Sequence, residues 1–319
     1  MLYNNPMIDA IAYNTLTALC QGTVAATVAI EIVEQTGSTN ADLLTRVAGR
    51  PHTDRPILLV ALQQTAGRGR AGRRWHSDGD GLTFSLAWPM RRSVSALSGL
   101  PLAIGVTIAE VLAARGVEVA LKWPNDVLQN GRKLAGVLIE TASGSSLLHD
   151  HVWVVIGIGI NIGSQEKSTE APVSSADPGK NDDLSKRDDW RDYNEFNEFN
   201  ETYARLPPLD RHLFLADLVV GLTKTLHTFA QRGFAAFVTR WNGLHAHAGQ
   251  KVDIVENTQV MCSGEAKGVD ATGRLLLQTE NGQVAVLAGD VSLRAKALPQ
   301  VTGAEVRQAI SGSNRAAID

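Results

Sequence analysis

The chain has 319 residues, of which 44% are hydrophobic and 20% are charged, and its formal net charge is −3. This length allows two domains with a sizeable core, and the weakly negative charge argues against a dedicated DNA-binding protein, which carries a strong basic excess. The two cysteines, Cys20 and Cys262, form neither a metal-ligand spacing nor a disulfide framework, which is typical of a reducing cytosol.

The N-terminal region is apolar but does not have the pattern of a targeting segment. Residues 7–32 are rich in Ala, Val, Ile, Leu and Thr, yet no cationic stretch precedes them, and Asp9, Asn14 and Gln21 interrupt the run. We therefore expect neither a signal peptide nor a membrane span here. No other stretch is long and apolar enough to cross a bilayer, so the sequence predicts a cytoplasmic protein without membrane association.

The first predicted elements are two strands with a helix between them. Residues 30–34 alternate apolar and charged side chains, as in a half-buried strand, and residues 57–62 form an apolar run typical of a buried strand. Thr39, with an acidic residue three positions later, marks the start of a helix over residues 39–48. Taken alone, the hydroxyls of Ser38 and Thr39 indicate helix capping; the alternative is that they hold the polar head of a ligand.

Residues 63–75, hereafter the Gly/Arg loop, follow the second strand. Within the loop, Gly67, Gly69 and Gly72 permit backbone conformations that other residues avoid, and four arginines supply fixed positive charge. Such a loop can wrap an anionic ligand with backbone N–H and guanidinium groups, and Trp75 can stack on a purine. The alternative is a basic surface loop or a nucleic-acid contact, and the loop by itself does not decide between them.

The central part of the chain predicts two further strands and a helix. Residues 82–88 alternate as a strand that Pro89 ends. The spacing of apolar residues predicts a helix over residues 97–115, which starts late or kinks at Pro101. Residues 119–123 then form a short strand.

A lysine stands on the return strand of a predicted hairpin. Residues 127–129 and 132–140 are joined by Asn130-Gly131, the residues preferred in a two-residue primed turn. Lys133 therefore enters an otherwise apolar strand, where it requires an anionic partner or a route for its amine to solvent. The following buried strand, residues 152–162, contains two glycines, which indicate close approach of a ligand or another backbone.

The remainder of the chain changes character twice. Residues 163–206 are dominated by polar and charged residues and predict a disordered insertion. Helical periodicity returns at residues 209–231, and residues 249–294 predict a compact antiparallel barrel of short strands. His245 and His247 are interpreted as ordinary polar residues rather than metal ligands, because no third ligand accompanies them.

Four motifs stand in a fixed order along the chain. They are Ser38-Thr39-Asn40, the Gly-Arg-Gly-Arg string of the Gly/Arg loop, the pair Trp-Pro-Asn-Asp and Lys-Leu-Ala-Gly within residues 122–136, and Gly157-Ile158-Gly159-Ile160-Asn161. In this order they resemble the biotin–protein ligase family. The resemblance is close over residues 31–162 and looser beyond them.

The resemblance implies an α+β fold with two domains. A biotin/lipoate ligase-like catalytic domain, with a mixed sheet and helices, is expected at residues 31–247, interrupted by the insertion at residues 163–206. A small SH3-like β-barrel is expected at residues 248–296. An N-terminal extension at residues 1–30 and a tail at residues 297–319 complete the expected organisation.

The resemblance also implies an ATP-dependent biotin–[biotin carboxyl-carrier protein] ligase. Biotin and MgATP would first form biotinyl-5'-AMP and pyrophosphate. The amine of a specific lysine on the biotin carboxyl carrier protein of acetyl-CoA carboxylase would then take the biotin and release AMP. ATP and Mg²⁺ are therefore the expected cofactors, biotin is the substrate, and the carrier protein is the expected partner.

The functional residues of the family fall on matching positions of this sequence. Those implied to bind biotin are Ser38, Thr39, Asn40, Gln64, Gly67, Arg68, Gly69, Arg70, Lys133, Gly136 and Gly157. Those implied to bind ATP or the adenylate are Arg70, Arg73, Trp75, Lys122, Asn125, Lys133 and Asn161, with Trp75 packed on the adenine. Three are implied to be catalytic: Lys133 bridges the biotin carboxylate and the α-phosphate, Arg70 retains the intermediate, and Asp126 orients the incoming lysine or assists Mg²⁺. No protein cage for a metal is expected.

The sequence also departs from the family, and two other functions compete. Ala71 stands where a further basic residue is common in the family. Some members carry an N-terminal DNA-binding domain, but only about 30 residues precede the catalytic part here, so we expect neither repressor activity nor specific DNA binding. A lipoate–protein ligase shares the fold and the adenylate chemistry, although the Gly-Arg-Gly-Arg string favours biotin. A nucleic-acid-binding regulator is the alternative from a different class, and the net charge disfavours it.

Overall fold

The computed structural model describes residues 13–51, 54–77, 81–143, 151–163, 203–207, 209–256, 258–289 and 291–295. The predicted tail therefore lies outside the described residues, as do residues 164–202 of the predicted insertion and residues 1–12 of the predicted extension.

A seven-stranded mixed sheet forms the centre of the larger part of the fold. Its strands are β1 (Ala29–Thr36), β2 (Ile57–Gln64), β3 (Leu82–Met90), β4 (Ala120–Lys122), β5 (Asp126–Gln129), β6 (Arg132–Ser143) and β7 (Val152–Ile160). They lie in the order β1-β2-β3-β7-β6-β5-β4. β1 and β2 are parallel and all other neighbours are antiparallel. The sheet and its helices confirm the predicted α+β class.

Helices cover the two faces of this sheet unequally. α1 (Tyr13–Cys20), α3 (Leu100–Ala113) and α4 (Arg211–Arg232) contribute their apolar residues to the main core, on one face. α2 (Thr39–Val47) packs Leu43 and Val47 against a smaller core on the other face. α2 has only nine residues and packs on β2, β3, β6 and β7. Polar side chains occupy this region.

A second sheet follows α5 (Val238–Gly243). Its antiparallel strands are β8 (Lys251–Glu256), β9 (Gln259–Val269), β10 (Leu275–Thr279), β11 (Gly282–Val286) and β12 (Val291–Ala295), in the order β11-β10-β9-β8-β12. β11 and β12 do not pair in the part of the chain that the structure describes, so the small predicted barrel is open at this edge.

The turn between β9 and β10 docks the second sheet on the first part of the fold. Trp123 Nε1 donates to the Gly273 carbonyl at 3.1 Å, and Ser98 Oγ donates to the Thr272 carbonyl at 2.8 Å. Asn242 accepts from the Val269 N–H at 2.8 Å. The second sheet is therefore attached to the segment before α3, to α5 and to the residue before Pro124.

Two local predictions around the prolines have different outcomes. β3 continues through Pro89 to Met90, whereas the sequence predicted that Pro89 ends the strand. β2 pairs no further than Ala87, so Pro89 is flanked by β7 alone and lies on a local sheet edge, where a missing N–H is tolerated. α3 begins at Leu100 with Pro101 in its first turn, which confirms the predicted late start.

The end of the predicted insertion is packed on the large sheet. Ala204 and Leu206 are buried, and isolated bridges join Leu206 to Ile162 and Tyr203 to Lys133. The chain has therefore returned to the sheet by residue 203, earlier than the sequence predicted.

Two apolar helical stretches contradict one expectation from the sequence. Val94–Ala113 and Arg211–Arg232 are long and apolar enough to cross a bilayer by length and composition. Their most apolar parts are 67% and 56% buried inside the protein, where α3 and α4 pack on each other and contribute to the main core. The sequence-based statement that no further stretch is long and apolar enough is therefore wrong.

Candidate functional site

A cluster of buried polar side chains lies beside α2 on the less covered face of the sheet. Its members are Ser38, Thr39, Asn40, Gln64 and Ser85, hereafter the polar floor. The Thr39 N–H donates to Gln64 Oε1 at 2.8 Å, and the hydroxyls of Thr39 and Ser85 are 2.6 Å apart. Ser85 Oγ donates to Asn40 Oδ1 at 2.6 Å. Thr39, Asn40, Gln64 and Ser85 therefore form one connected network, and Ser38 stands beside it.

The start of α2 explains how these side chains come together. Ser38 is the N-cap and accepts from the Ala41 N–H at 3.5 Å, so the predicted capping is confirmed for this residue. Thr39 and Asn40 begin the helix and turn their side chains inward, towards β2 and β3. The alternative interpretation, that these hydroxyls hold the polar head of a ligand, stays a prediction.

Glu140 links the polar floor to the Gly/Arg loop. Asn40 Nδ2 donates to Glu140 Oε2 at 2.9 Å, and Arg68 Nη2 lies 3.0 and 2.9 Å from the two carboxylate oxygens. Glu140 and Ser85 were both missed by sequence reasoning. Side chains alternate along a strand, so Ser85 of β3 and Glu140 of β6 lie on the sheet face that also carries Gly157. A polar residue at these two strand positions was the available signal.

The Gly/Arg loop is a small hairpin over the polar floor. Arg68 and Arg74 form an antiparallel bridge, and the Gly69 N–H donates to the Arg73 carbonyl at 2.7 Å. At its tip, Ala71 and Gly72 both have positive φ, at 52° and 72°. Gly72 suits this conformation, whereas Ala71 adopts it at a steric cost.

The glycines of the site make room for groups of the protein itself. A Cβ at Gly157 would lie 2.5 Å from Asn40 Oδ1, and one at Gly159 would lie 2.2 Å from the Trp75 ring. A Cβ at Gly67 would lie 2.5 Å from the Trp75 carbonyl oxygen. The strand glycines do allow close approach, but the approaching groups are the side chains of Asn40 and Trp75, whereas the sequence predicted a ligand or another backbone.

Lys133 forms a half-buried ion pair with Asp126. Lys133 Nζ lies 3.1 Å from Asp126 Oδ1, and the two side chains are 18% and 12% exposed. The hairpin that joins β5 to β6 brings them together through Asn130 and Gly131, whose φ values of 51° and 75° are those of the predicted primed turn. The anionic partner predicted for Lys133 is confirmed as Asp126.

Arg70 joins three parts of the chain at the mouth of the site. Its Nη1 donates to Asn125 Oδ1 at 2.9 Å, and its Nη2 donates to the carbonyls of Gly289 and Val291. Asn125 is itself fixed to β6, since its Nδ2 donates to the Val137 carbonyl at 2.9 Å. The loop tip is therefore tied both to the large sheet and to the C-terminal sheet.

A cleft of about 630 Å³ opens beneath this tip. It is lined by Arg68, Arg70, Asn125, Leu138, Glu140 and Gly289, among others. The polar floor, Trp75, Lys133 and three further predicted residues are not among those that line it. Lys122 of β4 stands opposite Asp126 of β5 in the strand register. Asn161 Nδ2 donates to the Lys133 carbonyl at 3.3 Å, and Arg73 Nε donates to the Arg70 carbonyl at 3.3 Å.

The two histidines lie between α5 and the second sheet. The His245 ring is 4.7 Å from the Trp241 ring and 6.2 Å from the His247 ring. Burial lowers the pKa of His245 to about 4, with a smaller contribution from His247, and burial also lowers the pKa of His247. No group of three His, Cys, Asp or Glu side chains stands close enough to hold a metal in the described ranges.

Comparison with known proteins places this geometry in context. The sequence model of the Biotin/lipoate A/B protein ligase family matches residues 33–161, and that of the Biotin protein ligase C terminal domain matches residues 247–294. The Bifunctional ligase/repressor BirA of Escherichia coli (strain K12) is 32% identical over 260 residues, covering 81% of this chain and 72% of that protein. The Biotin--[acetyl-CoA-carboxylase] ligase of Mycobacterium tuberculosis is 39% identical over 153 residues, covering 46% of this chain and 54% of its own.

Solved structures give the same picture. The biotin protein ligase from Aquifex aeolicus in complex with biotin and ATP superposes with a TM-score of 0.62 at 25% identity. The superposition covers 84% of this chain and 99% of the other. Both the mixed sheet and the C-terminal sheet therefore have counterparts in known structures.

Proposed function

This chain belongs to the biotin protein ligase family, and on that premise we propose that it is an ATP-dependent biotin–protein ligase. It joins biotin to ATP to give biotinyl-5'-AMP and pyrophosphate. It then transfers the biotinyl group to a lysine of the biotin carboxyl carrier protein of acetyl-CoA carboxylase, with release of AMP. The roles assigned below to individual residues are part of the proposal.

One observation supports the proposal above all others: three groups follow one another along the glycines of β6 and β7. Asn40 of the polar floor packs at Gly157, Trp75 covers Gly159 and Gly136, and the Lys133 stem lies 3.5 Å from a Cβ position at Gly136. Consecutive positions on one strand face are about 7 Å apart. A polar head group, an apolar chain and a terminal carboxylate fit this sequence of floor, indole and amine.

The polar floor binds the ureido ring of biotin in this proposal. Thr39 and Asn40 offer oxygen acceptors to its N–H groups, while Ser38 and Gln64 face its carbonyl. Because these side chains are buried and already connected, they are held in place before the ligand arrives, which reduces the ordering cost of binding. Lipoate is disfavoured here, because its dithiolane ring brings no hydrogen-bonding groups to a floor of buried polar atoms.

Lys133 and the arginines of the Gly/Arg loop promote the first step. The biotin carboxylate attacks the α-phosphate of ATP, and the two groups repel each other as they approach. The Lys133 ammonium, held by Asp126, offsets this repulsion between them, and Arg70 with Arg73 hold the phosphates. Trp75 packs on the adenine, and Lys122, Asn125 and Asn161 line the nucleotide end.

The Gly/Arg loop protects the adenylate from water. Its hairpin stands over the floor and is tied down by Arg68 to Glu140 and by Arg70 to Asn125 and the second sheet. Such a cover excludes the water that would hydrolyse a mixed anhydride. In the second step Asp126 orients the amine of the carrier lysine towards the carbonyl carbon of the intermediate.

Mg²⁺ enters this proposal only with ATP, whose phosphates hold it. Asp126 is paired with Lys133, and no set of three candidate ligands surrounds it among the residues that the structure describes. The described residues therefore give no reason to assign a metal held by the protein, and we assign each step to side chains of the chain.

Thermal unfolding with biotin, lipoate and ATP, added singly and in pairs, tests the proposal. Ligands that bind the native state raise the unfolding midpoint. We expect a rise with biotin and a larger one with biotin and ATP together, because the adenylate is retained. A rise with lipoate alone would identify the enzyme as a lipoate ligase, and no rise with either acid would refute the proposed site.

A further inference from the structure

Glu140 occupies a position that no assignment above explains. Its carboxylate accepts from Asn40 Nδ2 on the polar floor and from Arg68 of the Gly/Arg loop. The ion pair itself contributes little to stability, because the side chains of Arg68 and Glu140 are 43% and 28% exposed. Its contact with the buried Asn40 has a stronger consequence.

The carboxylate fixes the direction of the hydrogen bonds that lead from Asn40 to Ser85. A carboxylate only accepts, so the amide group of Asn40 that faces Glu140 must be the NH₂, and Oδ1 must face Ser85. Ser85 then gives its single proton to Asn40 Oδ1. The single proton of the Thr39 hydroxyl then goes to Ser85 Oγ at 2.6 Å or to Gln64 Oε1 at 3.0 Å, both within the floor, and the Thr39 N–H also donates to Gln64 Oε1 at 2.8 Å.

This direction decides what the floor offers to a ligand. The protons of both hydroxyls are used inside the network, so the side-chain oxygens of Thr39, Ser85 and Asn40 have only lone pairs left for a ligand. A floor of acceptors suits a ligand that brings N–H donors. If the Asn40 amide were rotated by 180°, the donors and acceptors would be exchanged, and its NH₂ would face the hydroxyl of Ser85.

We propose that Glu140 is the positioning residue that makes the polar floor an acceptor surface for the N–H groups of the biotin ureido ring, and that it acts through Asn40. The inference rests on the proposed function, since it deepens the same site. Glu140 sets the orientation of Asn40 and does not touch the reacting atoms.

Calorimetric titration of biotin into five variants tests this role. Glu140→Ala removes the acceptor, and Glu140→Gln keeps the shape while making it neutral. Glu31→Ala is the matched control, since it removes a Glu–Arg pair of similar exposure with Arg46, far along the sheet on β1. The double variant Asn40→Ala/Glu140→Ala, compared with Asn40→Ala, identifies the route of the effect.

We expect Glu140→Ala to weaken biotin binding about tenfold, the usual size of a lost charge-assisted hydrogen bond, and Glu140→Gln to weaken it less. The KM for ATP should stay within about twofold of the wild-type value, because the lost interactions are those with the biotin head group. In the Asn40→Ala background the Glu140→Ala change should have no further effect.

Three results would overturn the inference. Glu140→Ala could bind biotin as tightly as Glu31→Ala, or its effect could persist undiminished in the Asn40→Ala background. In both cases the ligase function would stand. Wild-type protein that binds no biotin would instead refute the proposed function, and the role of Glu140 with it.

Discussion

Lys133 is the single side chain on which the first reaction step depends most. It is held by Asp126 at 3.1 Å on a strand that is otherwise apolar. Lys133→Met keeps the length of the stem and removes the charge. We expect adenylate formation to fall by about a hundredfold or more, because preorganised charge at the reacting phosphate is lost.

Biotin-dependent exchange of pyrophosphate into ATP measures this loss. The control is Lys224→Met, an exposed lysine on the far surface of α4. Equal exchange rates in the Lys133 variant and the wild type would contradict the assignment of Lys133.

His245 makes the stability of the fold sensitive to acid. Burial holds its pKa at about 4 in the fold, below the ordinary value of 6.5 that applies to the unfolded chain. At pH values between these two pKa values, the unfolded chain binds a proton at His245 that the folded chain does not bind. The free energy of unfolding therefore decreases as the pH falls through this range. His245→Phe should therefore reduce the loss of unfolding free energy between about pH 7 and about pH 5 by about 2 kcal/mol.

Urea unfolding of the wild type and the variant at both pH values checks this expectation. His227→Gln, an exposed histidine on α4, is the control and should lose as much stability as the wild type. A variant of His245 with the wild-type pH dependence would show that this ring does not cause it.

Individual residues of the site were predictable where a local pattern required a partner. Lys133 in an apolar strand needed an anion, and the strand glycines needed an approaching group. Ser85 and Glu140 were missed because their partners, Thr39, Asn40 and Arg68, come from segments far away in the sequence. Only the pairing of β3, β7 and β6 brings these segments together.

At the scale of elements, the Gly/Arg loop carries the second prediction about chemistry. Arg70 binds Asn125 and two carbonyls of the second sheet, so it holds the loop tip over the cleft. Arg70→Ala should leave the fold intact and release biotinyl-5'-AMP at least about tenfold faster, because the cover opens more often.

The release rate of the intermediate, followed after rapid dilution, measures this effect. The control is Arg240→Ala, which removes an exposed ion pair with Glu110 remote from the cleft. An unchanged release rate for the Arg70 variant would contradict a retaining role of the loop tip.

Most elements followed from periodicity, and the exceptions have physical reasons. The alternation in β1, the apolar runs of β2 and β7 and the Asn130-Gly131 turn specified their elements locally. Pro89 did not end β3, because β2 stops pairing before that residue. Such an edge depends on the lengths of neighbouring strands, which the sequence of β3 does not contain.

At the scale of the whole molecule, a tight contact joins the β9–β10 turn to the residue before α3. Gly273 has a φ of 86°, and a Cβ there would lie 2.7 Å from the Cα of Gly99. Gly273→Ala should therefore lower the unfolding free energy by about 2 kcal/mol more than Gly116→Ala. Gly116 has a φ of 73° with nothing within 4 Å of a Cβ, so it reports the backbone cost alone.

Thermal unfolding of both variants distinguishes the two costs. The midpoint of the Gly273 variant should lie about 4–8 °C below that of the Gly116 variant. Equal midpoints would mean that this turn does not hold the second sheet in place.

The organisation of the whole molecule was predictable from the order of motifs rather than from any one of them. The order of the floor, loop, hairpin and glycine-strand motifs indicated the family, and the family sequence models match residues 33–161 and 247–294. The attachment of the second sheet through Gly273 and Arg70 was not predictable, because its partners Gly99, Trp123 and Asn125 have no shared local pattern.

Transfer of biotin to an acceptor tests the central claim most directly. Purified protein is incubated with biotin, MgATP and a biotin carboxyl carrier domain of acetyl-CoA carboxylase, and the mass of the carrier is measured. The account predicts a gain of one biotinyl group on one lysine, dependent on ATP and absent with Lys133→Met. A carrier that stays unmodified with biotin and MgATP, or that gains a lipoyl group when lipoate is supplied instead, would contradict it.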